Sequence, residues 1–289
     1  MAVGPYGALL EAVRGVRWPA RRAVAGGAPG AHLARSRGVA TEFAEYRPYR
    51  QGDDPRRVDW KLLARSDRTF VRLAPDRAVL PTLVVVDASA SMDFPGGRDG
   101  KWPAARRIAV GTAAVVHASG DPVGVAIAAV PGAVRLPPRT RRGVVAEIAR
   151  TLDAVSPGGN APLAELLAGA PARVLVITDC LGDLGALHAA ARGHVASGGD
   201  AHLVHVVARA ELDPPRGATF ATDPEDPSVR RPLTDETRAA YLDAFAAWRA
   251  DTARAWRDDG VAYHVAMDDE PAEMVVRRVV VLPGGGARA

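Results

Sequence analysis

Four runs of strand length are almost continuously apolar: LPTLVVVD ending at Asp87, VGVAIAAV from Val123, RVLVITD ending at Asp179 and AHLVHVV from Ala201. A strand that is apolar at both odd and even positions has two faces to bury. Both faces are covered in the interior of a parallel sheet with helices above and below it. Between and after the runs come segments of helical spacing, over Lys101–Ala118, 141–155, 162–168, 183–197 and Asp235–Asp258. Strand and helix in alternation predict a doubly wound α/β fold with a mainly parallel sheet. A shorter piece, AVRL at 133–136, follows the turn Pro131-Gly132 and is expected to pair antiparallel with the strand before it.

The rest of the chain divides by composition. Residues 1–40 are rich in Arg, Gly and Ala and contain the breaker cluster GGAPG, which suggests a short basic helix followed by a linker. Residues 41–76 are dense in charge and hold most of the early aromatics. The sheet domain is expected over 77–283, with a flexible tail at 284–289. In the last long helix Thr234 is the expected N-cap, and Tyr241, Phe245, Trp248 and Trp256 near helical spacing are read as core. The Pro-rich stretch between Glu211 and Leu233 is too polar for a core and is read as an excursion from the sheet edge.

Composition excludes several classes of function. With 289 residues, 48% hydrophobic and 24% charged, the chain is expected to be globular. The longest apolar run, 108–130, is interrupted by His117, Asp121 and Pro122, so no membrane span is expected. The N-terminus has arginines but no apolar block of secretory length. Cys180 is the only cysteine, which rules out an internal disulfide and a cysteine metal site and suits a reducing cytoplasm. Of 37 basic residues only Lys61 and Lys101 are lysine, yet the net charge is just +4 because acidic residues are spread among them. Nucleic-acid binding is therefore not expected.

The chemistry concentrates in VVVDASASM at 84–92. Asp87, Ser89 and Ser91 stand at the carboxyl end of a buried strand, where doubly wound sheets bind ligands, and alternate spacing turns their three oxygens toward one point. A carboxylate and two hydroxyls make a reasonable partial shell for Mg2+, a hard cation that keeps several waters. Asp179 ends another central strand and is expected beside Asp87. The histidines at 117, 188, 194, 202, 205 and 264 show no metal-like pairing, and His202 and His205 should point to opposite faces of one strand. Cys180 has no evident histidine partner and is read as a small buried residue.

Asp87-x-Ser89-x-Ser91 resembles the metal-ion-dependent adhesion site of von Willebrand factor A-like domains. That resemblance implies a third-loop Asp, which Asp179 matches, and a second-loop Thr. Here the second loop reads GGNAPL at 158–163, so Ala161 falls where the Thr would be, and neighbouring Asn160 offers an amide oxygen.

A longer likeness begins upstream. Glu42-Phe43, Arg47-Pro48-Tyr49, Gly52-Asp53-Asp54, Arg57-Val58-Asp59-Trp60 and Ala64-Arg65 are similar, in this order, to the signature of the bacterial domain of unknown function 58 family. Lys101, the Gly120–Gly124 turn and the terminal GVAYHVAMDDEP also fit. The resemblance implies a von Willebrand factor A-like domain with an N-terminal extension, and Tyr49 and Trp60 are read as packing that extension on the sheet domain. It further implies a non-enzymatic binding module, partner or adaptor of a MoxR-type AAA+ ATPase in a chaperone-like assembly. The alternative is a Mg2+-dependent phosphoester hydrolase or phosphotransferase with Asp87 as nucleophile. Such enzymes carry an acid/base Asp two residues later, and that position is Ser89.

Overall fold

The computed structural model describes residues 4–20, 29–33, 45–51, 53, 58–66, 68–73, 77–97, 99–214, 220–226 and 228–281. The chain divides into two compact units, one of residues 19–80 and the other of residues 1–18 with 81–289. This corrects the expected division at the N-terminus. Helix α1 (Gly7–Ala12) buries Leu9, and Val13 and Trp18 follow it into the core of the sheet domain. A few well-spaced apolar side chains decide the matter over the arginines around them, since burial of each contributes roughly 1.5–3 kcal/mol. Most of the expected linker, the signature residues Glu42, Phe43, Gly52, Asp54 and Arg57, and the tail lie outside the described residues.

In the smaller unit, β1 (Pro29–Leu33) pairs antiparallel with β4 (Arg77–Ala78), and β2 (Glu45–Pro48) antiparallel with β3 (Phe70–Leu73). Helix α2 (Trp60–Ser66) is capped by Asp59, whose Oδ1 accepts from the backbone N–H groups of Lys61 and Leu62 at 3.0 Å. Arg47 and Asp53 of the signature form an ion pair at 2.7 Å. Trp60 is 63% exposed and Tyr49 39%, because α2 buries none of its residues and Trp60 stands at its first position.

In the larger unit, β5 (Thr82–Asp87) leads through α3 (Lys101–Ala118) to β6 (Val123–Ala128), which turns into β7 (Val134–Arg139). Helix α4 (Val144–Asp153) returns the chain to β8 (Arg173–Thr178), followed by α5 (Leu184–Ala196), β9 (Asp200–Val207) and the short α6 (Arg209–Leu212). An exposed hairpin, β10 (Phe220–Thr222) and β11 (Arg230–Pro232), precedes α7 (Asp235–Asp258), β12 (Ala262–Met267) and α8 (Ala272–Val280). The six-stranded sheet has the order β12-β9-β8-β5-β6-β7. All pairs are parallel except β6 with β7, as the sequence pattern predicts. The edge strand β7 alternates half-buried and exposed residues and carries Pro137 and Pro138, which an edge tolerates.

Helices cover both faces. Val84 and Val86 of β5 enter a core with α1, α3, α4 and α8, while Leu83 and Val85 enter a second with α5, Trp256 and Tyr263. Arg173 is fully buried at the start of β8. Its guanidinium lies 4.1 Å from the centre of the Trp18 ring and pairs with Asp200 at 3.2 Å, which ties the N-terminal segment to the amino end of the sheet.

Three details differ from the sequence expectation. Residues 162–168 give only a single 3-10 turn, Ala164–Leu167, since Gly169 and Pro171 stop it. The aromatics of α7 are not all core: Trp256 is buried, Trp248 and Phe245 are half-buried, and Tyr241 is 36% exposed. The rings of Tyr241, Phe245 and Trp248 stack on one another at 5.6 Å, because no residue of α7 before Thr252 is buried. Finally, β12 and α8 were not among the expected elements. Helix α8 forms because Val275, Val276, Val279 and Val280 fall on one face and bury against α3.

Candidate functional site

The sheet changes direction of winding between β5 and β8, and their carboxyl ends form the crevice where such sheets hold ligands. Beyond β5 the chain makes a 3-10 turn, Ala90–Asp93, that keeps Asp87, Ser89 and Ser91 together. All three are at most 4% exposed. Asp87 accepts from the Ser89 backbone N–H at 2.9 Å through Oδ1 and from the Thr178 hydroxyl at 2.7 Å through Oδ2. The Ser89 and Ser91 hydroxyl oxygens are 3.0 Å apart.

The second loop is bolted to the first. Ala90 N–H donates to the Gly159 carbonyl and Gly158 N–H to the Ala88 carbonyl, each at 2.8 Å. Gly159 has φ 62°, and a Cβ there would lie 2.7 Å from Cγ2 of Val130, so only glycine fits. Ala161, at the position of the expected Thr, is half-buried and packs against the second core. Asn160 next to it is exposed and donates through Nδ2 to Glu225 at 3.0 Å.

Asp179 stands at the end of β8, next to β5 as expected, and is 2% exposed. Its Oδ1 accepts from Leu181 N–H at 3.1 Å and its Oδ2 from Lys101 Nζ at 2.7 Å. Lys101, 1% exposed, also donates to Glu211 at 2.9 Å. Burial opposes the Lys101 charge, but the Asp179 and Glu211 carboxylates outweigh it and hold the ammonium above its ordinary pKa. Burial, and then the Asp179 charge, push Asp87 up, against the hydrogen bonds from Thr178 and Ser89. Burial, and then the Asp179 and Asp87 charges, push Cys180 well up too, which favours the neutral thiol. Cys180 adopts φ 63°, in the left-handed region, directly after Asp179.

Four residues join the site that the sequence motif did not include: Thr178, Lys101 in its ion pair, Glu211 and Glu225. Lys101 left a trace, as one of only two lysines in an arginine-rich chain and a cation at the first position of an apolar helix, where the dipole disfavours it. Glu225, 134 positions from Ser91, left none. A cavity of about 50 Å3 opens beside Asp87, between Asn160, Thr178 and Asp183.

The donors suit a small hard cation in one respect. Ligands adjacent in an octahedron with bonds of about 2.0–2.1 Å lie about 2.9 Å apart, and the two hydroxyls stand at 3.0 Å. Asp87 accepts from the Ser89 N–H through Oδ1 and from the Thr178 hydroxyl through Oδ2, and the Ser89 hydroxyl bonds its carboxylate as well. Among the described residues there is no group of three or more His, Cys, Asp and Glu that could hold a metal ion.

A mainly parallel sheet of this order, with one antiparallel edge and a carboxylate–hydroxyl loop after its central strand, defines a doubly wound α/β domain of the von Willebrand factor A-like class. The chain belongs to the family described as protein of unknown function DUF58, whose sequence profile matches residues 45–251. It is 31% identical over 271 residues to the uncharacterized protein Rv1480 of Mycobacterium tuberculosis, covering 87% of this chain and 82% of that one. Among solved structures it is similar to the conserved hypothetical protein BatB from Bacteroides thetaiotaomicron, at 17% identity and TM-score 0.44, over 70% of this chain and 97% of that one. It is also similar to the SpRpn10 VWA domain, at 11% identity and TM-score 0.40, over 70% of this chain and 94% of that one. Strand order and register, not these likenesses, carry the assignment of fold. Among the described residues no helix is long and apolar enough to cross a membrane.

Proposed function

We propose that this chain is a non-enzymatic, cytoplasmic protein-interaction module whose loop Asp87, Ser89 and Ser91 holds Mg2+ and presents it to an acidic side chain of a partner. The observation that carries the reading is the pair of hydroxyls 3.0 Å apart beside a buried carboxylate at the carboxyl end of β5. With one carboxylate in direct reach, a bound divalent ion keeps net positive charge and attracts a further anion. Asp179 contributes its charge from behind, through a carboxylate already engaged by Lys101. The family likeness supports a MoxR-type AAA+ ATPase as the partner.

A phosphoester hydrolase built on Asp87 is less well supported. Both Asp87 oxygens accept hydrogen bonds, the acid/base position is Ser89, and Lys101 is committed to two carboxylates. The test is calorimetric titration of Mg2+ and Mn2+ into the chain and into Asp87→Ala, with capture of the ATPase in metal and in chelator. Saturable binding lost in the variant, and capture only in metal, are the expected results. Absence of binding at millimolar metal overturns the metal reading, and turnover of generic phosphoesters abolished by Asp87→Ala overturns the non-enzymatic one.

A further inference from the structure

Glu225 reaches the site from outside the sheet. It stands in the turn between β10 and β11, strands that pair with each other and whose residues are all exposed. Burial of those strands therefore does not hold the hairpin in place. The turn itself is preformed: Asp223 Oδ1 accepts from the N–H groups of Glu225 at 2.8 Å and Asp226 at 3.3 Å, and Asp226 accepts from the Ser228 hydroxyl at 2.6 Å. Its apex sets the Glu225 carboxylate across both loops of the site. Oε2 accepts from Asn160 of the second loop at 3.0 Å, and Oε1 lies 3.5 Å from the Ser91 hydroxyl of the first.

Those are contacts that an acidic side chain arriving from another protein would make. Burial first, and then the like charges of Asp179 and Asp87, work against the Glu225 carboxylate at this place. Among the described residues, the hydrogen bonds that set Glu225 across the two loops are one good one and one long one, and contacts of this strength are readily displaced.

We propose that Glu225 is an in-chain substitute for the partner's acidic side chain: the β10–β11 hairpin covers the Asp87–Ser91 loop, and an acidic segment of the partner binds by displacing it. The inference rests on the reading of that loop as an acceptor of carboxylates. Its test uses the full chain with Glu225→Ala and Asn160→Ala, which remove the two sides of one contact. Each is followed by amide hydrogen exchange and by anisotropy titration with a fluorescent hexaglutamate peptide in Mg2+.

Both variants are expected to speed exchange at the Asp223 and Val229 amides while leaving β5 and β8 unchanged. Glu225→Ala is expected to tighten peptide binding about tenfold, equivalent to about 1.4 kcal/mol. Unchanged hairpin exchange, or equal peptide binding by wild type and Glu225→Ala, overturns the displacement and leaves the acceptor reading standing. No peptide binding by any chain in metal overturns the acceptor reading, and the displacement with it.

Discussion

Lys101 carries an ammonium that is 1% exposed into the first turn of α3, against the helix dipole. It stays there because Asp179 and Glu211 accept from it at 2.7 and 2.9 Å. Lys101→Met leaves those two carboxylates without their cation, and should destabilise the protein by about 3–5 kcal/mol, measured by urea unfolding. At the other end of the sheet, burial works against the charge of Asp200, but the His202 ring and Arg173 hold its carboxyl down at about 2. Its ordinary value is 3.8, so the stabilisation is complete above that pH and is lost as pH falls toward 2. Asp200→Asn should remove an acid-dependent contribution on the order of 2 kcal/mol. Unfolding free energies of wild type and variant, compared across that interval, check it.

The pairing of β6 with β7 closes one side of the sheet and depends on a glycine. A Cβ on Gly124 would strike the Leu136 carbonyl oxygen and lie 2.6 Å from the Pro138 nitrogen, where the register shifts between Val123 and Val125. Gly124→Ala should therefore cost about 1–3 kcal/mol through overpacking. Thermal unfolding with exchange at the β7 amides would register it, and undisturbed β7 protection would contradict the account. At the same scale, the sequence showed β5, β6, β8 and β9 plainly, because strands covered on both faces are mostly apolar at odd and even positions alike. Strand β12 was harder to see. It lies at the edge, half of its residues are only partly buried, and its pattern AYHVAM mixes His264 with apolar neighbours.

For the molecule as a whole, a ligand that binds only the folded chain stabilises it in proportion to its binding. If the Asp87 loop holds Mg2+, metal at a hundred times its Kd should add about 2.7 kcal/mol to the unfolding free energy, and nothing to Asp87→Ala. Scanning calorimetry with and without metal reads this directly. An equal shift in both proteins would place the binding elsewhere. The N-terminal segment belongs to this cooperative unit, since Trp18 is 1% exposed against Arg173 and Leu9 and Val13 join the core with α3 and α8.

The sequence by itself determined the class of fold, the central strands and the loop holding Asp87, Ser89 and Ser91. All of these are written in local order: period, length and spacing along a few consecutive residues. It also put Asp179 beside Asp87, because winding rules allow few arrangements of parallel strands. Only the tertiary structure decided how those groups are used. The capture of Asp179 by Lys101, the hydrogen bond from Thr178 to Asp87 and the approach of Glu225 join residues 78, 91 and 134 positions apart. No period in the chain encodes such meetings. They depend on where the whole packed sheet sets down each loop.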